Sequence, residues 1–394
     1  MERIGIYGGS FNPPHIGHIR GAQHAISALG LSKLLVIPSC EPPHKEMAEG
    51  TDTPRQRLEM LQRSFADVQG AEVCDLEITR GGKSYTVDTV LQLRKMYPDA
   101  ELVLCMGSDM FDVFHQWKDY GVIVQNTSLA VFCRGDKGEK EAIDREKEIL
   151  EKEGATVCVL ENPVINISST QLRRLLAFQC ADPFLDPKVK EYICEKGLYG
   201  AGEDYRNLPM DKLEQVVVSL LKPNRVKHVL GCRDTAAELA RKWGADETDA
   251  ARAGLLHDIT KALDGPLQLT LCSQYGIMLD EFSHNNPKTL HALTGSLVAE
   301  RIFGENQAVV DAIASHTTGK GNMNTLEKII YVADYMEPNR DFPGVEELRS
   351  LAYKDLDKAL KMGLEMTLSM LKIQGRQISP GSCEALAWLQ KMGI

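Results

Sequence analysis

Along the first half of the chain, short apolar runs rich in Val, Ile and Leu alternate with stretches whose apolar positions recur at helical spacing. The runs are RIGIYGG from Arg3, KLLVIPS from Lys33, ELVLCMGSD from Glu101, SLAVFCRG from Ser128 and TVCVLE from Thr156. Strand followed by helix, repeated, predicts a parallel sheet covered on both faces, that is, a doubly wound α/β domain. After about residue 210 the strand-like runs stop. MDKLEQVVVSLLK, DTAAELARKWG, DAARAGLLHDITKAL and TLEKIIYVADYM carry their apolar residues at helical spacing, so the second half is predicted to be all-helical. Between the halves, LYGAGEDYRNLPMD is poor in apolar residues and rich in Gly, Pro and charge. The expected division is a domain over 1–199, a linker over 200–209 and a domain over 210–394. The charge-rich run GDKGEKEAIDREKEILEKEG reads as a solvated helix.

Composition changes this picture little but narrows the partners. A chain of 394 residues is long enough for two or three domains of about 150 residues each. A net charge of -10 argues against a general nucleic-acid or anionic-membrane binder, which needs a basic face. The ten cysteines are scattered singly with no CxxC, unlike a zinc ribbon or a disulfide framework, and are expected to be reduced thiols. MERIGIY lacks the features of a signal peptide, and no stretch reaches the ~18 apolar residues of a membrane span, so a cytoplasmic location is expected.

The first apolar run leads directly into GGSFNPPHIGH. In a doubly wound sheet, ligands sit beyond the carboxyl ends of the strands, where glycine turns admit phosphate and helix N-termini offer free N–H groups. Gly8, Gly9, Ser10 and Phe11 occupy such a turn. His15 and His18 are three apart in the first turn of the following helix and share a face, so they can add hydrogen bonds or positive charge to a phosphate cradle. The loop fits neither GxGxxG nor GxxxxGK[ST], which disfavours a dehydrogenase or a P-loop enzyme.

An (H/T)xGH motif after the first strand resembles the nucleotidylyltransferase superfamily. The longer form GGSFNPPHIGH is similar to the bacterial nicotinate-nucleotide adenylyltransferases. Downstream, ISSTQLRR at 167–174 resembles that family's ISSTxIR, with Leu172 in place of Ile. CEPPHK ending at Lys45, SYTVDT at 84–89, MGSD at 106–109 and Trp117 extend the likeness over roughly residues 1–199. The resemblance implies that ATP phosphates are handled by Lys45, His15, His18, Ser168, Ser169 and Arg173, with Mg²⁺. Thr170, Gly107, Asp109 and Arg134 join the implied nucleotide-binding set, and Thr86 and Trp117 would hold nicotinate mononucleotide. The family more often has GAD where this chain has GSD, and no consequence is expected from the extra hydroxyl of Ser108. The implied chemistry needs no protein nucleophile: the phosphate of the mononucleotide attacks the α-phosphorus of ATP and pyrophosphate leaves.

The helical half carries His228, the adjacent pair His257 and Asp258, then His291, His316 and Asp334. Imidazole and carboxylate are ligands for Fe, Mn, Co or Zn, and inward-facing helices can assemble such a site. A His-Asp pair in an apolar run costs roughly several kcal/mol unless a metal or a hydrogen-bond partner compensates. The ordered set resembles the HD superfamily of metal-dependent phosphohydrolases. RxxH at 225–228, HDITK at 257–261, SHTTG at 315–319 and ADYMEPNR at 333–340 resemble the bacterial symmetrical bis(5'-nucleosyl)-tetraphosphatases. The resemblance implies His228, His257, Asp258 and Asp334 as metal ligands, with iron the expected metal and Mn and Co open. It implies His291 and His316 on phosphates or a second metal, Thr317 on substrate, and Arg225, Lys261 and Arg340 neutralising phosphate charge. The reaction would be cleavage of diadenosine tetraphosphate into two ADP. Two alternatives remain at this point: an adenylyltransferase for another phosphate acceptor joined to a general nucleotidase, or a helical half that senses nucleotides without hydrolysis. His24, His44, His115 and His284 are left without a role.

Overall fold

The five apolar runs of the first half become parallel strands of one sheet, and a sixth, short strand joins them. They are β1 (Arg3–Gly9), β2 (Lys33–Pro38), β3 (Ala71–Val73), β4 (Glu101–Gly107), β5 (Ser128–Phe132) and β6 (Val157–Leu160). The computed structural model describes residues 2–43, 53–135 and 138–394, so His44 and Lys45 lie outside the described residues. The chain divides into two compact units, residues 1–203 and 204–394.

The sheet order is β3-β2-β1-β4-β5-β6. Ile4 on β1 pairs in register with Lys33 on β2 and with Leu102 on β4, and every neighbouring pair is parallel. Alternate side chains build two cores. Ile4, Ile6, Leu35, Ile37, Leu102, Leu104, Leu129 and Val131 pack on one face. Leu34, Val36, Val103, Cys105 and Ala130 pack on the other. Burial on both faces is why these strands read as near-continuous apolar runs. The apolar pattern does not predict β3, because AEV is three residues long and places Glu72 outward, so it carries no periodic signal.

Strand order reverses between β1 and β4, and a crevice opens outside their carboxyl ends at such a switch point. The helix Ile16–Leu29 leaves that crevice and buries Ile19, Ala22, Ala25 and Leu29 at helical spacing. Gly30 ends it with φ 59°, a left-handed cap.

In the second unit all regular elements are helices, as the pattern predicts. The 21-residue helix Pro223–Trp243 is central and packs against Glu247–Leu256 and Thr325–Met336. The expected helix through DAARAGLLHDITKAL ends earlier, at Leu256. His257 Nδ1 donates to the Gly254 carbonyl at 2.7 Å, and Gln268 Nε2 donates to the Thr260 carbonyl at 2.7 Å. Side chains therefore take acceptors that a continuing helix would use, and the chain turns after His257. Among the described residues, no helix is long and apolar enough to cross a membrane. All ten cysteines are unpaired.

Candidate active sites

The first site grows out of the carboxyl end of β1. Gly8 and Gly9 pair with Ile37 and Pro38 of β2, and the Ser39 amide donates to the Gly9 carbonyl at 2.9 Å. Beyond Ser10 the chain turns sharply at Phe11, which is buried and has φ 45°, and then passes through a cis peptide between Asn12 and Pro13. His15 ends the turn as the N-cap of the helix Ile16–Leu29. The His15 and His18 rings stack with centroids 3.6 Å apart, and Phe11 meets the His18 ring edge-on at 5.0 Å.

The His15 amide donates to His18 Nδ1 at 3.0 Å, so the ring proton of His18 sits on Nε2. Burial pushes the His15 imidazole down to about 3, and the charge of Arg134 adds to the effect. Burial, then His15 and Arg134, hold His18 well below the usual imidazole range. Both rings are thus neutral near pH 7, so of the two expected contributions, hydrogen bonds or positive charge, they offer the first, as N–H donors.

The second motif is brought to the same place. Ser168 caps the helix Ser169–Ala177 by accepting the Gln171 amide at 3.2 Å, while Gln171 Oε1 accepts the Ser168 amide at 3.1 Å. Ser169 Oγ donates to the Pro13 carbonyl at 2.9 Å, across 156 residues of sequence. Arg173 donates to the Asn12 carbonyl at 2.6 Å and to Thr170 Oγ at 3.2 Å. The helix N-terminus at 168–170 is therefore fastened against the turn that carries the two histidines.

Asp109 and Arg134, at the ends of β4 and β5, pair at 3.2 Å across the Gly107 backbone. A Cβ at Gly107 would stand 2.7 Å from Asp109 Oδ1 and 3.1 Å from Arg134 Nε, so a larger residue would displace the pair. Ser108 Oγ donates to the Glu139 carboxylate, which also accepts the Arg134 amide at 2.6 Å and the Gly135 amide at 2.7 Å. The hydroxyl expected to be without consequence joins the two strand ends that carry this ion pair.

Thr86 opens the helix Thr86–Met96. The residues before it are tied beyond β2, with the Ser84 amide donating to the Glu41 carbonyl at 2.9 Å and Ser84 Oγ accepting the Cys40 amide at 2.9 Å. Trp117 packs on Phe114 at 5.2 Å, and its Nε1 has no hydrogen-bond partner among the described residues. Lys118 lies 4.5 Å over the Tyr85 ring, which sets the two segments side by side.

Sequence reasoning missed Arg57. Its side chain is 1% exposed and forks between the Ser10 carbonyl at 2.9 Å and the Cys40 carbonyl at 2.9 Å. The available signal was its place on the buried face of the helix Pro54–Phe65, in line with Met60, Leu61 and Ser64.

The second site lies among helices of residues 204–394. The Nε2 atoms of four imidazoles converge on two carboxylates. Asp334 Oδ1 is 3.2 Å from His228 Nε2 and 3.8 Å from His257 Nε2. Asp258 turns Oδ2 toward His257 at 3.6 Å and His228 at 3.8 Å, and Oδ1 toward His291 at 3.4 Å and His316 at 3.8 Å. Donor atoms of His228, His257 and Asp334 lie within 4.8 Å of one another, as do those of His257, Asp258 and His316.

Every one of these imidazoles has its Nδ1 on an acceptor. His257 uses the Gly254 carbonyl at 2.7 Å, His316 the Ile313 carbonyl at 2.7 Å, His291 the Lys288 carbonyl at 2.9 Å, and His228 the Glu337 carboxylate at 3.1 Å. Nδ1 thus carries the proton and Nε2 presents a lone pair. Burial drives His257 and His291 well below the usual range and pushes His316 down to about 4. Burial would raise the Asp334 carboxyl, but the adjoining His228 and the charge of Arg340 hold it well below the usual range. His228 Nε2 and His257 Nε2 face each other at 3.3 Å with no proton to share, an arrangement that a cation between them relieves. Imidazole lone pairs beside the ionised Asp334 fit a divalent transition metal.

Cations surround this core. Arg225 pairs with Asp258, and Arg340 Nη2 reaches Asp334 Oδ1 at 2.5 Å. Lys261 Nζ is 2.8 Å from His291 Nε2, and burial pushes its ammonium down to about 8. Thr317 Oγ bridges His291 Nε2 at 3.0 Å and His316 Nε2 at 3.1 Å. The structure thus gathers every residue expected here, with His291 engaged by Lys261 and Thr317. Glu337 and Gly231, which packs against it, were not singled out from the sequence.

Comparison with known proteins matches residues 6–175 to the cytidylyltransferase-like family and residues 225–339 to the HD domain family. A probable nicotinate-nucleotide adenylyltransferase of Shouchella clausii is 35% identical over 201 residues, spanning 51% of this chain and 98% of that protein. The symmetrical bis(5'-nucleosyl)-tetraphosphatase of Bacillus subtilis is 36% identical over 170 residues, spanning 43% of this chain and 91% of that protein. A crystal structure of a predicted HD superfamily hydrolase involved in NAD metabolism, from Clostridium acetobutylicum, is 39% identical with a TM-score of 0.46, spanning 47% of this chain and 98% of that one. Two relatives are each matched over nearly their whole length by different halves, and the chain accordingly belongs to the nicotinate-nucleotide adenylyltransferase family in its first half and carries an HD domain in its second.

Proposed function

We propose that the chain is a bifunctional enzyme. Its first half transfers the adenylyl group of ATP to nicotinate mononucleotide, giving nicotinate adenine dinucleotide and pyrophosphate. Its second half cleaves diadenosine tetraphosphate symmetrically into two ADP.

For the first reaction, the observation that carries the reading is the union of the two distant motifs, through Ser169 on Pro13 and Arg173 on Asn12, at the switch point of the sheet. A phosphate oxygen of the mononucleotide forms a bond to the α-phosphorus of ATP as the bond to the β-phosphate oxygen breaks. His15 and His18 offer N–H donors, Arg134 and Arg173 offer charge, and the helix start at Ser168, Ser169 and Thr170 offers amides to the phosphoryl oxygens. Lys45 is assigned to the same phosphates from the motif alone. Thr86 and Trp117 are assigned to the nicotinate nucleotide, the indole as a stacking surface. Mg²⁺ arriving with ATP would neutralise charge on the departing pyrophosphate.

For the second reaction, the carrying observation is the set of Nε2 lone pairs aimed at Asp258 and Asp334. A metal held by His228, His257, Asp258 and Asp334, with iron the family expectation, would polarise a phosphoryl oxygen and supply a nucleophile from water near neutral pH. Arg225 and Arg340 orient the two aspartates, while Lys261, His291, His316 and Thr317 hold phosphate oxygens.

The test is product identification with the intact chain. Pyrophosphate release should be faster with nicotinate mononucleotide than with nicotinamide mononucleotide or phosphopantetheine. Diadenosine tetraphosphate should give ADP alone in a reaction that requires Fe²⁺, Mn²⁺ or Co²⁺. Preference for another acceptor would overturn the first assignment, and AMP with ATP as products would overturn the second.

A further inference from the structure

We propose that Glu337 is the positioning residue of the helical site, fixing His228 in the tautomer that aims Nε2 inward, and that Gly231 and Asn339 hold Glu337 in place. The proposal rests on the metal reading above only for what His228 is aimed at.

The four imidazoles are not supported alike. His257, His291 and His316 each give Nδ1–H to the carbonyl three residues earlier, at Gly254, Lys288 and Ile313. These three lie at or near helix ends, where carbonyls and turns leave such acceptors within reach. His228 is inside the helix Pro223–Trp243, where the carbonyls behind it serve the helix ladder. Its acceptor must come from elsewhere, and Glu337 provides it from just past the helix Thr325–Met336, with Oε1 at 3.1 Å.

Glu337 is 1% exposed, and its other oxygen is fully engaged. Oε2 accepts the Asn339 amide at 2.7 Å and Asn339 Nδ2 at 2.8 Å, and Nδ2 also donates to the Lys227 carbonyl at 3.1 Å. The Glu337 carbonyl accepts Arg349 Nη2 at 2.9 Å. Room for the carboxylate comes from Gly231: a Cβ there would stand 2.4 Å from Glu337 Oε2 and 3.0 Å from Asn339 Nδ2. A glycine inside an α-helix costs about 1 kcal/mol relative to alanine. At this position it admits a buried carboxylate against the helix.

Glu337→Gln separates shape from chemistry. With donors from Asn339 fixed at the position of Oε2, the amide that replaces the carboxylate must turn its oxygen toward Asn339 and its NH₂ toward His228 Nδ1. His228 then accepts at Nδ1, the proton moves to Nε2, and the inward lone pair is lost. Long-range ¹⁵N–¹H NMR of the metal-free full chain should show His228 as the Nδ1–H tautomer in the wild type and as the Nε2–H tautomer in Glu337→Gln. Mn²⁺ affinity should fall by about 10–100-fold, with adenylyl transfer unchanged. Gly231→Ala, which leaves both residues of the bond in place but sets a methyl against Glu337 Oε2, should lower Mn²⁺ affinity in the same direction. An Nε2–H tautomer in the wild-type chain overturns the proposal without recourse to a variant, and so does Glu337→Gln with an unchanged tautomer and Mn²⁺ affinity within twofold. Failure of Mn²⁺ to bind the wild type would instead overturn the metal reading, while the tautomer result still decides the role of Glu337.

Discussion

The crevice beyond β1 and the pocket among the helices both collect histidines, yet they turn opposite faces of the ring to the ligand. His18 accepts a backbone amide at Nδ1, which leaves an N–H on Nε2. His257 donates from Nδ1 to a carbonyl, which leaves a lone pair on Nε2. Burial keeps both rings neutral, so the identity of one backbone partner decides whether an imidazole greets an anion or a cation. Their surroundings follow suit. Around the first site, carbonyls of the turn are occupied by Arg57, Ser169 and Arg173. Within the second, two carboxylates stand among the rings.

The comparison breaks most directly with two substitutions. His18→Ala should lower adenylyl transfer by about 10³-fold, the scale of losing an essential oxyanion donor, with hydrolysis of the tetraphosphate unchanged. Asp258→Ala should do the reverse. Loss of both reactions from either change, measured by pyrophosphate release and by ADP formation, would show that the sites are not independent. Metal removal separates them further. After exhaustive chelation, Mg²⁺ alone should restore adenylyl transfer, and hydrolysis should return only with Fe²⁺, Mn²⁺ or Co²⁺.

Arg57→Lys gives a smaller effect. A lysine can reach one of the two carbonyls, and loss of the fork should cut kcat/KM for adenylyl transfer by about tenfold, equivalent to roughly 1.4 kcal/mol. Acidification sharpens the contrast in stability. His15 and His316 are pushed down to about 3 and about 4, from about 6.5 in an unfolded chain. Between those values the unfolded chain binds more protons. Their stabilising effect is therefore whole above about pH 6.5 and declines as pH falls toward the folded values, by about 1.4 kcal/mol per unit for each ring. In the metal-free chain, the helical half, with His257, His291 and His316 all lowered, should lose hydrogen-exchange protection at higher pH than the first half. Coincident midpoints would contradict this. Ser108→Ala should be the mildest change, raising KM for ATP at most about tenfold through one lost hydrogen bond.

Much of this was legible because the chemistry is written contiguously. GGSFNPPHIGH and ISSTQLRR each place donors within one turn, and the strands β1, β2, β4 and β5 announce themselves by being buried on both faces. β3 did not, since three residues cannot show a period. The early end of the helix at Leu256 was hidden because apolar spacing continues past it, while the signal that stops it is a hydrogen bond from a side chain. Arg57, Glu139 and Glu337 were invisible for a different reason. Each acts on a partner 47, 31 and 109 residues away, respectively, and only the fold brings those partners into contact. An arginine on a buried helix face was the one trace left in the sequence.

One guanidinium grips the main chain on both sides of the first crevice, at Ser10 and at Cys40. Adding a single residue to either turn would carry one carbonyl out of reach and unseat the other with it. The two turns are pinned to a common rivet, so changes of length are tolerable only in parts of the surface that the rivet does not fasten.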